Sequence, residues 1–269
     1  MSPFEYRRAA QVADAVAALR ENPEARLLAG GQSLLAAMKL GLSAPPVLID
    51  LGRVAELRSL RADGDGLWIG AMCTHAAVAA APLVRERLPG LAALAGGIAD
   101  AQVRQRGTLG GSLANADPAA CWPAGVLAAG ATLVTDRREI AADDFFTGLF
   151  ATALEPDEVL VGVRFAGAQA LHYAKEEQPA SRFALAGVAV ARQAGGAVRV
   201  AVTGLGQGVF RWAEAESRLA QRFAPEALDG LRPDAGIAHG DLHASADYRC
   251  HLAGVLARRA VRRFGGAAA

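Results

Sequence analysis

Ala29-Gly30-Gly31-Gln32-Ser33-Leu34 is the first of two glycine-centred segments that decide how the whole sequence is read, and Thr108-Leu109-Gly110-Gly111-Ser112-Leu113-Ala114-Asn115-Ala116-Asp117-Pro118 is the second. Each segment borders apolar sequence, as a loop would. Glycine has no side chain and permits positive φ, so such a segment offers a row of backbone N–H groups that an anionic oxygen can approach closely. The pattern predicts two loops that hold one pyrophosphate between them, although a lone Gly-Gly pair is also common in a simple turn.

The composition is that of a compact globular chain, with 52% hydrophobic and 20% charged residues and a net charge of +1. Charges of both signs are mixed and no Lys/Arg cluster stands out, which argues against a nucleic-acid partner. The apolar stretches end before the roughly 20 residues needed to span a bilayer, and the N-terminus lacks a signal pattern. We therefore expect a cytoplasmic protein without a transmembrane segment.

The residue types that bind metals are too scattered to predict a metal site. Cys73, Cys121 and Cys250 form no CxxC pair, so the chain alone predicts neither a zinc site nor an iron–sulfur cluster. His239 and His243 have an i, i+4 spacing but lack the acidic helper of an HExxH motif. We expect no metal site in this chain and buried free thiols at the cysteines.

Hydrophobic spacing predicts three α+β units in chain order. In the first, residues 1–56, a helix over 10–20, a strand over 26–29, a helix after the first glycine segment and a strand over 47–51 form a βαβ-like unit. The second, residues 57–170, begins with a hairpin around Asp63-Gly64-Asp65-Gly66 and ends with strands over 131–135 and 157–165. The third, residues 171–269, holds strands over 184–191 and 197–203 and then mainly helices. The irregular alternation favours an α+β fold over a doubly wound sheet.

Residues 200–209 resemble the start of a dinucleotide-binding fold, with a strand that enters Gly204-Leu205-Gly206-Gln207-Gly208. The third glycine of G-x-G-x-x-G would fall on Val209, and no further strand with a terminal acidic residue follows at the required distance. A tight turn within a C-terminal sheet is the better interpretation.

Further segments resemble the same protein family as the two glycine segments do, and they stand at the corresponding positions along the chain. These are Ile49-Asp50-Leu51, 103–108, 173–175 with 179–183, and 202–204 with 210–212. Over nearly the whole chain, the sequence resembles the flavin-binding medium subunits of the molybdenum hydroxylases, the group of aerobic carbon monoxide dehydrogenase and the xanthine dehydrogenases. The last pair of segments is most similar to the carbon monoxide dehydrogenase type.

The resemblance implies an FAD-binding fold of the p-cresol-methylhydroxylase type, in which two α+β subdomains hold FAD and a C-terminal domain with a small antiparallel sheet and helices follows. By position, the backbone amides of both segments hold the pyrophosphate, Leu160 packs near the flavin ring, and Lys175 supplies a positive charge to reduced, anionic flavin. Asp117 could instead start a helix, and Lys175 could be a solvated surface lysine. The cofactor-binding residues implied are Ala29, Gly30, Gly31, Gln32, Ser33, Leu34, Thr108, Gly110, Gly111, Ser112, Asp117, Leu160 and Lys175.

Two positions depart from the pattern of the family. Relatives commonly carry an acidic residue four positions after Asp117, where it can accept a hydrogen bond from a flavin hydroxyl; this chain has Cys121, a weak acceptor. Ser112 stands where relatives often have Asn, and it keeps a polar side chain. Either Asp117 compensates for the missing carboxylate or FAD binds more weakly.

The resemblance implies an FAD-dependent oxidoreductase subunit that transfers electrons and has no catalytic residue of its own. Its implied partners are a large subunit with the molybdenum cofactor and a small subunit with [2Fe–2S] clusters, assembled as a dimer of heterotrimers. Two alternatives stay open at this point: a flavin-free structural subunit of such a complex, and a stand-alone flavin oxidase.

Overall fold

Residues 2–167, 169–193, 195–206 and 208–265 are described by the computed structural model of the protein. The strands are β1 (Glu5–Arg8), β2 (Arg26–Leu28), β3 (Val47–Asp50), β4 (Leu60–Asp63), β5 (Gly66–Gly70), β6 (Thr132–Thr135), β7 (Glu139–Ala141), β8 (Phe146–Gly148), β9 (Ala151–Thr152), β10 (Leu160–Phe165), β11 (Gln169–Glu177), β12 (Ala184–Gln193), β13 (Val198–Thr203) and β14 (Phe210–Arg211). The α-helices are α1 (Val12–Glu21), α2 (Leu34–Lys39), α3 (His75–Ala80), α4 (Pro82–Arg87), α5 (Pro89–Gly96), α6 (Ala101–Arg106), α7 (Leu109–Asn115), α8 (Cys121–Ala129), α9 (Ala142–Phe145), α10 (Ala213–Gln221) and α11 (Ala246–Arg262).

The first sheet is parallel, with the strand order β1-β3-β2. Helix α1 covers it with an apolar face at helical spacing, and the predicted βαβ-like unit is confirmed. Strand β1 was not predicted, because its sequence Glu-Tyr-Arg-Arg shows no apolar alternation and its side chains are mostly exposed. Pairing with β3 stabilises it, which no local pattern reveals.

The second sheet is antiparallel, with the strand order β4-β5-β10-β6-β7. The predicted hairpin is confirmed: Asp63 pairs with Gly66 across a two-residue turn in which Gly64 has a φ of +59°. Helices α3 to α8 follow this hairpin in sequence, and apolar side chains of all of them except α6 share one core with the sheet. The first glycine segment thus lies between β2 and α2, and the second lies between strands β5 and β6 of the second sheet.

The second glycine segment is mostly helical, which corrects the expectation of a loop. Thr108 caps helix α7 by accepting the N–H of Gly111 at 3.1 Å, and Ala116, with a φ of +45°, ends the helix. Gly110 lies so close to strand β5's continuation that an added Cβ would fall 2.4 Å from the Cβ of Ala71. The glycines here therefore serve close helix packing, a role that the sequence pattern does not separate from loop formation.

The third sheet is antiparallel, in the order β11-β12-β13-β14, and helices α10 and α11 pack against it. Strand β13 runs into Gly204, whose φ is +87°. Because both neighbours of β13 are antiparallel, this segment is no dinucleotide-binding βαβ unit, and the interpretation as a turn is confirmed for its described residues. Gln207 lies outside the described residues. An α+β fold is confirmed, while the domain bounds 1–56, 57–170 and 171–269 stay a prediction.

Helix α8 joins the second and third sheets, and each of its nine residues is buried. The turn that leads into it is held by the third sheet through backbone bonds from Gly204 N–H to Pro118 O at 2.7 Å and from Ala184 N–H to Ala119 O at 3.2 Å. The hydroxyl of Thr203, fully buried, lies 2.5 Å from Pro118 O and 3.0 Å from Ala120 O. The C-terminal unit thereby fixes the turn over 117–120.

We expect Thr203→Val to lower the free energy of unfolding by about 1–2 kcal/mol, because the substitution keeps the volume and removes the buried donor to this turn. Urea unfolding of the full chain measures the effect. The control is Thr132→Val on β6, whose hydroxyl donates to no residue that the structure describes. Equal losses in both variants would contradict this role of Thr203.

Within the described part of the chain, no helix combines the length and the apolar character that crossing a membrane requires.

Candidate functional site

A cleft of about 870 Å³ lies between the first two units, a volume within the usual range of small-molecule sites of roughly 300–1,000 Å³. Both glycine segments, the end of strand β2 and the start of strand β10 line it. Twelve of the thirteen residues implied by the family resemblance lie on its wall: Ala29, Gly30, Gly31, Gln32, Ser33, Leu34, Thr108, Gly110, Gly111, Ser112, Asp117 and Leu160. The structure therefore brings together residues from three separated parts of the sequence.

The first glycine segment presents free backbone donors to the cleft. It turns between β2 and α2, with Gly31 at a φ of +73°, and the N–H groups of Gly30, Gly31, Gln32 and Ser33 donate to no acceptor among the described residues. The side chains of Gln32 and Ser33 are exposed. Four adjacent unsatisfied amides form a concave site for anionic oxygens.

The first segment rests directly on the backbone before the second. A Cβ added to Gly30 would lie 2.1 Å from Arg106 O and 2.8 Å from Gly107 Cα. Only glycine permits this approach, so Gly30 is required by the contact between the two segments whether or not a ligand is present. The contact closes the base of the cleft.

The amides of the second segment are mostly engaged within the protein, contrary to the expectation that they are free for a ligand. Gly110 N–H donates to Ala71 O at 2.8 Å, Gly111 N–H to Thr108 Oγ1 at 3.1 Å, and Ser112 N–H to Thr108 O at 3.1 Å. The exceptions are Thr108, which is buried, and Asp117, whose N–H groups have no acceptor in the described ranges. This segment offers these two amides, small side chains and the Ser112 hydroxyl.

A substitution at Gly111 would disturb the protein itself. An added Cβ would lie 2.8 Å from Thr108 Oγ1 and 3.3 Å from the Cβ of Ala29. A larger residue there would break the cap of α7, so the loss of a ligand in such a variant would not identify a ligand contact.

Asp117 lies on the cleft wall but does not start a helix, because α8 begins only at Cys121. Its Oδ1 accepts the N–H of Ala119 at 2.8 Å, and Oδ2 has no partner in the part of the chain that is described. Burial raises the pKa of the Asp117 carboxyl, and the Ala119 amide opposes that rise. One oxygen of Asp117 is therefore available as an acceptor.

Cys121 lies on the cleft wall and forms a buried polar cluster with Tyr173 and Lys175. Burial raises the pKa of the Cys121 thiol, against the opposing effect of Lys175. The thiol is thus protonated at neutral pH and is a weak hydrogen-bonding group. The Tyr173 hydroxyl is buried beside this thiol, and burial raises the pKa of Tyr173.

Lys175 is the one implied residue that does not line the cleft. Its Nζ donates to Arg182 O at 2.6 Å and lies 3.4 Å from a carboxylate oxygen of Glu177. Only 10% of its side chain is exposed, so it is no solvated surface lysine. Lys175 holds the turn over 178–183, at the mouth of the cleft, and lies near enough to Cys121 to influence its thiol.

His75 and Asn115 border the cleft and were missed by the sequence reasoning. His75 is 5% exposed, and its Nδ1 accepts the indole N–H of Trp122 at 2.9 Å. Burial, together with a smaller effect of nearby Arg104, lowers the pKa of His75 to about 4. An isolated histidine that follows a capping threonine carries no motif, so only the fold reveals its place.

The comparisons with known proteins agree with this geometry. Residues 2–165 match the family described as the FAD binding domain in molybdopterin dehydrogenase. The chain belongs to this family. It is 40% identical to the carbon monoxide dehydrogenase medium chain of Hydrogenophaga pseudoflava, with 96% of each chain covered. It is 36% identical to the nicotine 6-hydroxylase medium subunit of Paenarthrobacter nicotinovorans, also with 96% of each covered.

A solved structure shows the same fold as well. A chain of carbon monoxide dehydrogenase from Hydrogenophaga pseudoflava, in a form that lacks the Mo-pyranopterin moiety of its molybdenum cofactor, superimposes with a TM-score of 0.88 at 37% identity, with 97% of this chain and 98% of that chain covered. The family, the FAD cofactor and the assignment to an oxidoreductase subunit are thereby confirmed.

The residues of the cleft fit FAD in two respects. The unsatisfied amides of the first segment suit the pyrophosphate, and Leu160, which is 5% exposed, offers apolar surface at the start of β10. Across the described ranges, no group of three or more His, Cys, Asp or Glu side chains is arranged as a metal site.

We expect His75 to make the free energy of unfolding fall as the pH drops from 7 towards 4. The folded protein keeps this imidazole neutral down to about pH 4, whereas in the unfolded chain it takes up a proton near its ordinary value of about 6.5. The unfolded state is therefore favoured progressively below pH 6.5, by up to about 3 kcal/mol at pH 4. Urea unfolding at a series of pH values measures the slope.

The control for this slope is His75→Gln, which removes the titrating group. His172 contributes in the same direction, because burial also lowers its pKa, and it is unchanged in the variant. The difference between the two slopes isolates His75, and equal slopes would contradict its neutral burial.

Proposed function

We propose that this chain is the electron-transferring FAD subunit of a heterotrimeric molybdenum hydroxylase. In this proposal it receives electrons from [2Fe–2S] clusters of a small partner subunit, while a large partner subunit with the molybdenum cofactor oxidises the substrate. The assembly would be a dimer of heterotrimers in the cytoplasm. The match along 96% of two curated medium subunits supports it, because such a chain acts within a larger complex.

The observation that carries the proposal is the row of four unsatisfied amides at the first glycine segment, opposite the free amide of Thr108. Backbone donors bind the pyrophosphate without a basic side chain. When bound, FAD supplies the two-electron and one-electron chemistry of the site. The chain's own residues bind and orient the cofactor and exclude water from it.

Within this proposal, the implied contacts are divided unequally between the two segments. Gly30, Gly31, Gln32 and Ser33 bind the pyrophosphate through their amides. The second segment contributes the Thr108 amide, the Ser112 hydroxyl and close approach at Gly110 and Gly111. The remaining residues form the walls: Ala29, Leu34, Asp117 and Leu160.

Asp117 replaces the acceptor that Cys121 does not provide. Its free Oδ2 lies on the same wall of the cleft, four residues earlier, and the Ala119 amide fixes the orientation of its carboxylate. Lys175 acts indirectly. It holds the turn over 178–183 and adds positive charge near Cys121.

A flavin-free structural subunit is the second candidate, and Cys121 is the observation that favours it. A protonated, buried thiol cannot replace a carboxylate as an acceptor for a cofactor hydroxyl. The two candidates differ in one measurable property, which is bound flavin.

We expect the purified chain, alone or coexpressed with the genes beside its own, to show the visible absorption bands of oxidised flavin. Large and small partner subunits should copurify with it. Flavin without partners would favour a stand-alone flavin oxidase, and partners without flavin would favour the structural subunit.

We expect Ser33→Asp to weaken FAD binding by about 10-fold or more, because it places a negative charge beside the amides that would hold the pyrophosphate. Ser33 is exposed and precedes helix α2, so aspartate fits the fold there. Titration of the FAD-depleted protein with FAD, followed by flavin fluorescence, measures the change.

The matched control is Ser217→Asp, a change of the same kind at an exposed position of α10 that does not border the cleft. Unchanged FAD affinity in Ser33→Asp would count against the placement of the pyrophosphate at the first segment.

A further inference from the structure

His75 is a buried polar side chain for which neither the sequence pattern nor the family resemblance gives a role. It is the first residue of α3, and its backbone N–H donates to Gly107 O at 2.9 Å. Its ring borders the cleft. The residue thus borders the cleft beside Gly107, which the first glycine segment also contacts.

The hydrogen bond from Trp122 fixes the tautomer of His75. The indole N–H only donates, so Nδ1 of His75 must be the acceptor and cannot carry a proton. The proton of the neutral ring is therefore on Nε2. Trp122 is fully buried within α8, which keeps the ring in this orientation.

The Nε2–H of His75 has no acceptor among the described residues. Nε2 lies 2.6 Å from the point where a Cβ of Gly107 would be, and a Cβ of Gly30 would lie 2.8 Å from Gly107 Cα. The next residue, Thr108, carries the other unsatisfied N–H at this place. Two donors without partners among the described residues therefore flank the junction of the two glycine segments, and Nε2 of His75 is not fully buried.

An anionic or carbonyl oxygen of a ligand would satisfy both donors. Polar groups of largely buried residues are normally hydrogen-bonded, so a pair of N–H groups without a protein acceptor beside a cleft indicates where a ligand acceptor belongs. Gly30, the first residue of the row of free amides, contacts Gly107 at this junction, and this favours the phosphate half of the cofactor over its ring.

We infer that His75 is a further cofactor-binding residue, a neutral imidazole that donates its Nε2–H to a pyrophosphate oxygen of FAD. Trp122 is its positioning residue, which holds the proton on Nε2. The inference rests on the proposed function, since it requires FAD in this cleft. It adds a side-chain donor to a site otherwise built from backbone.

The test compares three probes on the full chain: FAD, ADP as the phosphate half, and riboflavin as the half without phosphate. In His75→Phe we expect the affinities for FAD and ADP to fall by about 10- to 100-fold, as for the loss of a hydrogen bond to a charged group, with riboflavin unchanged. His75→Gln, which keeps a donor, should lose less. His251→Phe, at an exposed histidine of α11, is the matched control.

A second readout separates binding from a structural effect. In protein labelled with ¹⁵N at histidine, ADP and FAD should shift the Nε2 signal of His75 and leave its Nδ1 signal that of an unprotonated nitrogen. In the double variant with His75→Phe, Trp122→Phe should cause no further loss of ADP affinity.

Each other outcome overturns the inference. An equal loss for all three probes would make His75 a structural residue, and a loss for riboflavin alone would place it at the ring. Wild-type protein that binds FAD without a change at His75 would overturn the inference alone. Wild-type protein that binds no FAD would overturn the proposed function with it.

Discussion

The contact between Gly30 and the backbone at Arg106 and Gly107 is the constraint on which the cleft depends. Because Gly30 has no side chain, the first glycine segment rests directly on the chain that leads into α7. Gly107 is held between this segment and the ring of His75. A side chain at either glycine would separate the two units and open the base of the cleft. The free amides are thus placed by packing between protein segments.

The third sheet stabilises the wall of the cleft that carries Asp117 and Cys121. The turn before α8 is held by hydrogen bonds from three residues of this unit, which are Thr203, Gly204 and Ala184. Asp117 and Cys121 stand at the two ends of that turn. The position of the only carboxylate that we assign to the cofactor therefore depends on the C-terminal unit, although that unit contributes little surface to the cleft itself.

Local patterns predicted much of the fold, and the family resemblance supplied twelve residues that line the cleft. The βαβ-like unit and the hairpin at Gly64 follow from spacing and turn chemistry, and the structure has them. Strand β1 could not be predicted, because pairing with β3 and not its own sequence stabilises it. The helical state of 109–115 was missed since glycine is typical of both loops and close packing. His75 was missed because its role depends on Trp122, distant in sequence.

The close packing at Gly30, Gly107 and Gly110 has a consequence for how the family evolves. Packing by itself requires these glycines, so a descendant that stops using flavin would keep its Gly-Gly signature for as long as it keeps its fold. A position free to change after such a loss is an exposed one without a packing role, such as Ser33. Sequence divergence at such positions, with the glycines unchanged, would indicate a site that no longer binds the cofactor.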